Sequence, residues 1–203
     1  MQNKLLITLA VIAGLALGYV TSYLAIPLLK LPGTFQTVGP WMSQTNMASS
    51  DTDWYTRART ARYAAYGLPR SEVIYFGSFT DSKGQKLSHK CVYKVTIPDP
   101  PARWWSLALY RNGNYIPNKD DRYSIGATTI DRQPGETMTI TLNADGLGRN
   151  ALALGDGPGP FHPIYKLYGS FALAFRLYQP HQEALRAVSE NMLPKIEKMS
   201  CEN

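Results

Sequence analysis

A long apolar run near the start of the chain predicts a membrane-spanning helix. Residues 5–29 contain no charged side chain, and their apolar residues fall on every side of a helix, which is typical of a helix surrounded by lipid. At ~1.5 Å rise per residue, segment 5–26 reaches roughly 33 Å, which is enough to cross the hydrocarbon layer of a bilayer. We therefore expect residues 1–30 to form an N-terminal transmembrane anchor.

A cleaved signal peptide is the alternative interpretation of this run. Its basic start would be Lys4, and Thr21, Ser22 and Ala25 are small enough for a cleavage site. The run is longer than the ~7–15 residues of a signal-peptide core, and no Ala-x-Ala sequence closes it. The length therefore favours an uncleaved signal-anchor, which makes the lipid bilayer a partner of residues 5–26.

The residues around and within the predicted anchor indicate its orientation and packing. Lys4 and the free amine precede the apolar run and Lys30 follows it, so the positive-inside rule favours a cytoplasmic N-terminus. We expect a single-pass protein of the inner (cytoplasmic) membrane, with the soluble domain in the periplasm or outside. Gly14 and Gly18 have the spacing through which membrane helices form homodimers, although glycines are common in membrane helices in any case.

Residues 31–66 predict a linker followed by a short helix. Residues 31–50 lack periodicity and contain Pro, Gly and Ser, which is typical of a linker, and Trp41 within it is expected at the membrane interface. A helix is predicted from Asp51 or Thr52 as its cap to Tyr66. Its expected apolar face comprises Trp54, Ala58, Ala61 and Ala65. Its basic residues, on other faces, are Arg57, Arg59 and Arg62.

After Val73 the hydrophobic period becomes two, which predicts β-strands. Strands over 73–79 and 88–97 flank a turn at 81–84 and predict a hairpin, in which Cys91, Tyr93, Val95 and Ile97 share one face. Further strands are predicted over 104–110, 122–130, 136–142 and 170–178, with a Gly- and Pro-rich loop at 145–163 and a helix at 181–191. Short antiparallel strands with peripheral helices predict a mainly β domain over 51–203, an antiparallel β-sandwich of jelly-roll type.

Charge and cysteine content narrow the expected partners and compartment. The chain has a formal net charge of +6, of which Lys4 and Lys30 supply two, leaving +4 for residues 31–203. Basic residues are scattered except on the predicted helix, so we expect no nucleic-acid partner and favour anionic lipid headgroups. The two cysteines, Cys91 and Cys201, are free to form a bridge in an oxidising periplasm, provided that their geometry allows it.

No known catalytic or metal-binding motif is evident. The histidines His89, His162 and His181 lie in separate segments, and two cysteines do not complete a zinc set, so we expect no metal and no cofactor. Ser106 lies outside a Gly-x-Ser-x-Gly elbow, and a small residue packed in a strand is the favoured interpretation. The glycines at 155–160 lack the Lys-Ser/Thr of a P-loop.

Strand parity predicts a ligand-binding face. In segments 104–110 and 171–178 one set of alternating residues is apolar core, and the other combines small residues with aromatic rings and one arginine. The candidate ligand-binding residues are Trp104, Ser106, Tyr110, Arg176 and Tyr178. If both strands belong to one sheet, Arg176 is able to hold a carboxylate or phosphate while rings stack on the ligand. The favoured interpretation of this residue is a structural Arg176, paired with an acid such as Asp131 or Asp145 or bonded to loop carbonyls, with tyrosine hydroxyls satisfied nearby.

Several short motifs resemble a known family. These are Trp105–Tyr110 in sequence WSLALY, Asn118, Tyr123-Ser124-Ile125, residues 171–180 with Arg176-Leu177-Tyr178-Gln179-Pro180, and Leu193-Pro194-Lys195-Ile196. Over residues 73–197 the chain resembles the bacterial domain-of-unknown-function 1214 family. The resemblance implies a jelly-roll β-sandwich, sometimes alone behind a membrane anchor, and no established activity. Family members usually carry Asn-Trp-Leu-Pro before the last strand, whereas this chain has Asn150-Ala-Leu-Ala and then an insertion.

Three functions are compatible with these features. The favoured one is a membrane-anchored extracytoplasmic β-sandwich that binds a small-molecule ligand or a protein partner at the cell envelope. The alternative is an enzyme acting on an envelope carbohydrate or lipid-like substrate, with Arg176, Tyr110 and an acid of the Gly-rich loop as its site. The acids considered are Asp99, Asp120, Asp121 and Asp156, with Asp120 and Asp121 more typical of a solvated turn. A structural subunit dimerised through its anchor is the third.

Overall fold

An N-terminal apolar helix precedes a mainly β domain. The computed structural model describes residues 2–28, 34–63, 67–155, 157 and 169–202. The helices are α1 (Gln2–Leu28), α2 (Trp54–Tyr63) and α3 (Gln182–Arg186), followed by a 3₁₀ turn at Glu190–Met192. The last two replace the single helix predicted at 181–191, because the backbone becomes extended at Ala187. The mainly β prediction is confirmed.

Helix α1 has the length and composition of a membrane span. Segment Asn3–Leu24 has a mean hydropathy of 2.1, and none of it is buried. An apolar helix without protein cover is favourable only where lipid or another apolar surface covers it. A Cβ added at Gly14 or Gly18 would meet no atom within 4 Å, and dimerisation through these glycines stays a prediction.

Two sheets form the domain. The strands of the larger sheet are β1 (Phe35–Val38), β2 (Trp41–Gln44), β3 (Val73–Ser78), β5 (Ala102–Arg111), β6 (Asn114–Tyr115), β7 (Ser124–Gly126) and β10 (Ala172–Pro180). Those of the smaller sheet are β4 (Cys91–Ile97), β8 (Met138–Asn143), β9 (Ala151–Ala153) and β11 (Lys195–Cys201). In the described residues the larger sheet has the order β1-β2-β3-β10-β5-β6, with β7 also paired to β5, and the smaller sheet has the order β11-β4-β8-β9. Pairing is antiparallel except between β8 and β9. A jelly-roll connectivity stays a prediction.

The core lies between the two sheets, and strand alternation predicts its residues correctly. Tyr93, Val95, Leu107 and Phe175 are fully buried, and each belongs to the alternating set assigned to the core. Burial of each large apolar side chain contributes about 1.5–3 kcal/mol. The predicted hairpin of residues 73–97 is wrong, however, because β3 pairs in the larger sheet and β4 in the smaller one.

Part of the predicted linker belongs to the domain. Residues 35–44 form the antiparallel hairpin β1–β2 at the edge of the larger sheet, turning at Gly39, whose φ of 55° suits glycine. Trp41, expected at the membrane interface, is 1% exposed, and its indole Nε1 donates a hydrogen bond to the Pro194 carbonyl at 2.7 Å. The linker prediction is therefore wrong for residues 34–45, because a long-range contact orders them.

Helix α2 presents a different face to the domain from the one predicted. Asp53, rather than Asp51 or Thr52, caps it, since its Oδ1 accepts the Thr56 amide hydrogen at 2.9 Å. Thr52 and Thr56 are buried, whereas Trp54 is 85% exposed. The expected packing of this face against the domain is therefore wrong for Trp54, whereas Ala65 and Tyr66 of the predicted helix lie outside the described residues. The predicted strand 122–130 also shortens to β7, which ends at Gly126.

Candidate functional site

The five candidate ligand-binding residues share one face of the larger sheet. Strand β10 lies between β3 and β5, and its register places Arg176 opposite Ser106, Tyr178 opposite Trp104 and Ala172 opposite Tyr110. Directly paired residues project to the same side of a sheet. Because Phe175 and Leu107, the neighbours along each strand, face the core, these five residues lie on the outer face. The condition that both strands belong to one sheet is met.

Arg176 contacts a cluster of tyrosines. Its Nη2 donates a hydrogen bond to the Tyr110 hydroxyl at 2.7 Å, and its guanidinium carbon lies 5.5 Å from the centroid of that ring. Tyr110 stacks on Tyr115 with centroids 4.8 Å apart, and Tyr115 packs on Tyr123 at 5.2 Å. We call Tyr110, Tyr115 and Tyr123 the tyrosine stack. The cation thus lies at one end of three successive aromatic rings.

The tyrosine stack leaves the charge of Arg176 uncompensated. Burial alone would lower the pKa of Arg176, but the Tyr110 hydroxyl and the neighbouring tyrosines outweigh it and raise that pKa. The Tyr110 hydroxyl, and then burial, raise the pKa of Tyr115. A hydrogen bond to Asp121 raises the pKa of Tyr123. Both phenols therefore stay neutral at physiological pH while Arg176 stays cationic.

The acids proposed as partners of Arg176 lie elsewhere. Asp131 Oδ2 accepts from Arg149 at 3.0 Å, and Asp145 Oδ1 accepts the Leu147 amide hydrogen at 3.0 Å. Within the described part of the chain, no carboxylate lies at ion-pair distance from Arg176. A structural ion pair with either acid is therefore wrong, and a half-buried cation remains on the outer face.

A shallow groove of about 350 Å³ lies at Tyr178 and Gln179, the part of β10 that follows Arg176. Its walls include the edge-to-face pair of Trp104 and Tyr178, with ring centroids 5.0 Å apart. The lining residues are Leu68, Glu72, Val73, Arg103, Trp104, Tyr178 and Gln179. Two of the predicted residues therefore line the groove, whereas Arg176 and Tyr110 are outside its lining, on the same face of the sheet. Ser106 is 4% exposed, so it forms the floor between these parts rather than a ligand contact.

Gly126 in β7 determines where the Trp104 indole lies. A Cβ at residue 126 would approach Trp104 Cζ2 to 2.6 Å and the Trp105 carbonyl oxygen to 2.7 Å. The indole packs directly over this glycine, and its Nε1 donates a hydrogen bond to the Thr128 hydroxyl at 3.3 Å. The glycine therefore makes room for one wall of the groove.

Replacing Gly126 with alanine is expected to displace Trp104 and to lower the free energy of unfolding by about 1–3 kcal/mol, the usual effect of overpacking. Near-UV circular dichroism and denaturant unfolding measure the two effects. Gly77, on the same sheet face, is the matched control, because a Cβ there meets no atom within 4 Å. Equal results for Gly126→Ala and Gly77→Ala would contradict the packing described.

Two of the tyrosines were not among the predicted site residues. Tyr115 belongs to β6 and Tyr123 to the segment before β7, outside the two strands whose alternation predicts the site. A signal for Tyr115 exists in the sequence. The two-residue turn Asn112-Gly113, with φ of 53° and 80°, places Tyr115 opposite Tyr110. No comparable local signal places Tyr123.

Among the described residues that line the groove, Glu72 is the one carboxylate. In the ranges that the structure describes, no three His, Cys, Asp or Glu residues lie close enough to hold a metal ion. Burial, followed by the charge of Arg111, lowers the pKa of His89. Of the acids considered for an enzyme, Asp121 accepts the Tyr123 hydroxyl hydrogen at 2.7 Å, and Asp120 lies in the exposed turn that follows Asn118. Asp156 and His162 lie outside the described residues.

Comparisons with known proteins identify a matching family model and similar solved structures. The family model described as "Protein of unknown function (DUF1214)" matches residues 72–182. The crystal structure of the VPA0106 protein from Vibrio parahaemolyticus is similar, with a TM-score of 0.57, 22% identity, and 92% of this chain and 44% of that chain covered. An uncharacterized protein from Burkholderia cenocepacia gives a TM-score of 0.39, 14% identity, and coverage of 75% and 45%. The chain spans less than half the length of either. No curated protein matches.

Proposed function

We propose that this chain, which belongs to the DUF1214 family of proteins of unknown function, is a membrane-anchored module that binds an anionic ligand on the outer face of its larger sheet. Arg176 holds the carboxylate or phosphate of the ligand. The remaining part of the ligand packs on the rings of Tyr110, Tyr178 and Trp104. The small side chain of Ser106, beneath these rings, leaves room for it. No catalytic step is assigned to this face.

The observation that carries this proposal is that the Arg176 guanidinium has no carboxylate at ion-pair distance in the described residues. Burying a charged group is unfavourable unless it is paired, by several kcal/mol for a deeply buried ion and by less for a half-buried one. A guanidinium carries five N–H donors. In the described residues Arg176 uses one of its nitrogens for a hydrogen bond, to the Tyr110 hydroxyl. A carboxylate or phosphate supplies the missing charge and accepts two parallel hydrogen bonds.

The anchor and the disulfide support a place at the cell envelope. Helix α1 contains a segment, Asn3–Leu24, that is long and apolar enough to cross a bilayer, and the flanking charges favour a cytoplasmic N-terminus. Cys91 and Cys201 form a disulfide, and such bridges persist in oxidising compartments. The proposal is therefore an uncleaved signal-anchor in the inner membrane with the β domain in the periplasm.

Calorimetric titration of the full chain in non-ionic detergent tests the ligand site. The probes are phenyl phosphate and benzoate, which combine an anionic group with a ring, and benzyl alcohol, which lacks the charge. We expect both anions to bind and the alcohol not to. Removing a charge-assisted contact costs about 1.5–3 kcal/mol, so Arg176→Gln weakens binding roughly 10- to 150-fold. Arg176→Lys retains the charge without the planar fork and gives an intermediate affinity.

Arg149→Gln is the matched control. It removes the same charge from an exposed arginine that is paired with Asp131 and Glu136 and precedes β9 of the smaller sheet, and we expect wild-type affinity. Near-UV circular dichroism establishes that each variant is folded. Absence of binding of both anions to the wild type, or equal affinities of the wild type and Arg176→Gln, would contradict the proposal.

A further inference from the structure

Helix α2 covers one end of the outer face of the larger sheet. Gln44 Nε2 of β2 donates a hydrogen bond to the Thr60 hydroxyl at 3.1 Å, and the Arg59 guanidinium carbon lies 4.9 Å from the centroid of the Phe35 ring. Met42, two residues before Gln44 in β2, pairs with Gly77 of β3. Since Gly77 in turn pairs with Ala174 of β10, α2 lies on the same face as Arg176.

The opposite face of α2 is exposed and has the composition of a membrane-surface helix. Trp54 is 85% exposed, and Ala58 and Ala61 are exposed as well. The Arg57 guanidinium carbon lies 5.5 Å from the Trp54 ring, and its Nε and Nη2 donate to the Thr52 and Ser50 carbonyls at 2.9 and 2.6 Å. These bonds fix the cation beside an outward-pointing indole. Tryptophan with a neighbouring cation is favoured at the headgroup layer of a bilayer.

The anchor brings α2 to that layer. Helix α1 contacts α2, although no residue of the apolar segment Asn3–Leu24 is buried. Tyr19 and Tyr23 stack at 6.2 Å in the part of α1 that leads to the domain. Tyrosines are enriched where membrane helices leave the hydrocarbon. With α1 in lipid, a helix that touches it without covering its apolar surface lies at the membrane surface.

We propose that α2 is an interfacial helix, which rests on the lipid headgroups with Trp54 inserted at their level and Arg57 beside their phosphates. This position of α2 at the membrane surface depends on the anchoring of α1 in the bilayer. It does not depend on ligand binding at Arg176. Because α2 then lies between the larger sheet and the bilayer, the sheet face that bears Arg176 turns toward the membrane. The occupant of the Trp54 face is the lipid surface.

Quenching of tryptophan fluorescence by brominated lipid tests this proposal. The full chain is reconstituted into vesicles of phosphatidylcholine and phosphatidylglycerol, with and without bromine on the acyl chains of the phosphatidylcholine. We expect bromine to reduce the emission of the wild type, and Trp54→Phe to abolish most of that reduction. Flotation of both proteins with the vesicles establishes separately that α1 is inserted.

A second variant controls for non-specific quenching. Trp54→Phe combined with Leu147→Trp restores the number of tryptophans at a site that is 68% exposed, between β8 and β9 of the smaller sheet. We expect its added tryptophan not to be quenched by brominated lipid. Unchanged quenching in Trp54→Phe, or equal quenching of residue 147, would overturn the proposal. A Trp54 shielded from aqueous acrylamide but not quenched by bromine would assign this face to a protein and overturn it as well.

Discussion

Replacing Trp41 with alanine is expected to lower the free energy of unfolding by about 3–5 kcal/mol, as for other buried aromatic residues. Its indole is 1% exposed, lies 5.9 Å from the Phe175 ring and donates a hydrogen bond to the Pro194 carbonyl. The substitution leaves a cavity and also an unsatisfied carbonyl in the segment that leads into β11. Denaturant unfolding of the full chain in detergent, followed by far-UV circular dichroism, measures the change.

Trp54→Ala makes the same chemical change at a residue that is 85% exposed. We expect it to change the free energy of unfolding by no more than about 0.5 kcal/mol, as is usual for surface substitutions. If Trp41→Ala lowered the free energy of unfolding equally little, residues 34–45 would not belong to the folded domain. The prediction that they form a linker would then be correct.

Breaking the disulfide between Cys91 and Cys201 is expected to lower the free energy of unfolding by about 2–5 kcal/mol. The bridge joins residues 110 apart in sequence and links the register partners of β4 and β11. Its loss frees a long loop in the unfolded chain, which raises the entropy of that state. Unfolding midpoints of the wild type with and without reductant, and of Cys201→Ser, measure the effect.

Met199→Ser is the control for this experiment, because it changes an exposed residue of the same strand, two positions before Cys201. Its midpoint should lie close to that of the wild type and should fall with reductant by the same amount. Reductant should not change the unfolding midpoint of Cys201→Ser. A wild-type midpoint that is insensitive to reductant would mean that the bridge does not stabilise the domain.

Strand parity could be predicted from sequence because it is a local property. Alternation within residues 91–97 identifies Tyr93 and Val95 as core residues, and both are fully buried. The partner of a strand is not a local property. Strands β3 and β4 follow one another along the chain, yet they lie in different sheets, since alternation does not specify which apolar strand lies alongside.

The linker and the face of α2 were predicted wrongly for related reasons. Strands β1 and β2 have four residues each, too few to show a period, and the burial of Trp41 depends on a contact 153 residues away. On α2, alanines give little directional signal. Thr56 and Thr60 face the sheet instead, and Thr60 forms a hydrogen bond there, so polar residues occupy the packed side of this helix.

The candidate site was predictable in outline and not in its electrostatics. Parity selects Arg176 and Tyr110, and the register of β5 and β10 brings them to one face. The absence of an acid beside Arg176 in the described residues is a three-dimensional fact. The sequence does not show this absence, because Asp131 is an equally available partner by sequence and only the folded structure pairs it with Arg149.

The most direct test of anion binding is native mass spectrometry of molecules that remain bound to the full chain after purification from membranes in detergent. Wild type, Arg176→Gln and Arg149→Gln are compared at equal protein concentration. The proposed function predicts that the wild type and Arg149→Gln release the same carboxylate- or phosphate-bearing molecule, and that Arg176→Gln releases little or none of it. Identical release from wild type and Arg176→Gln would contradict a role for Arg176 in ligand binding.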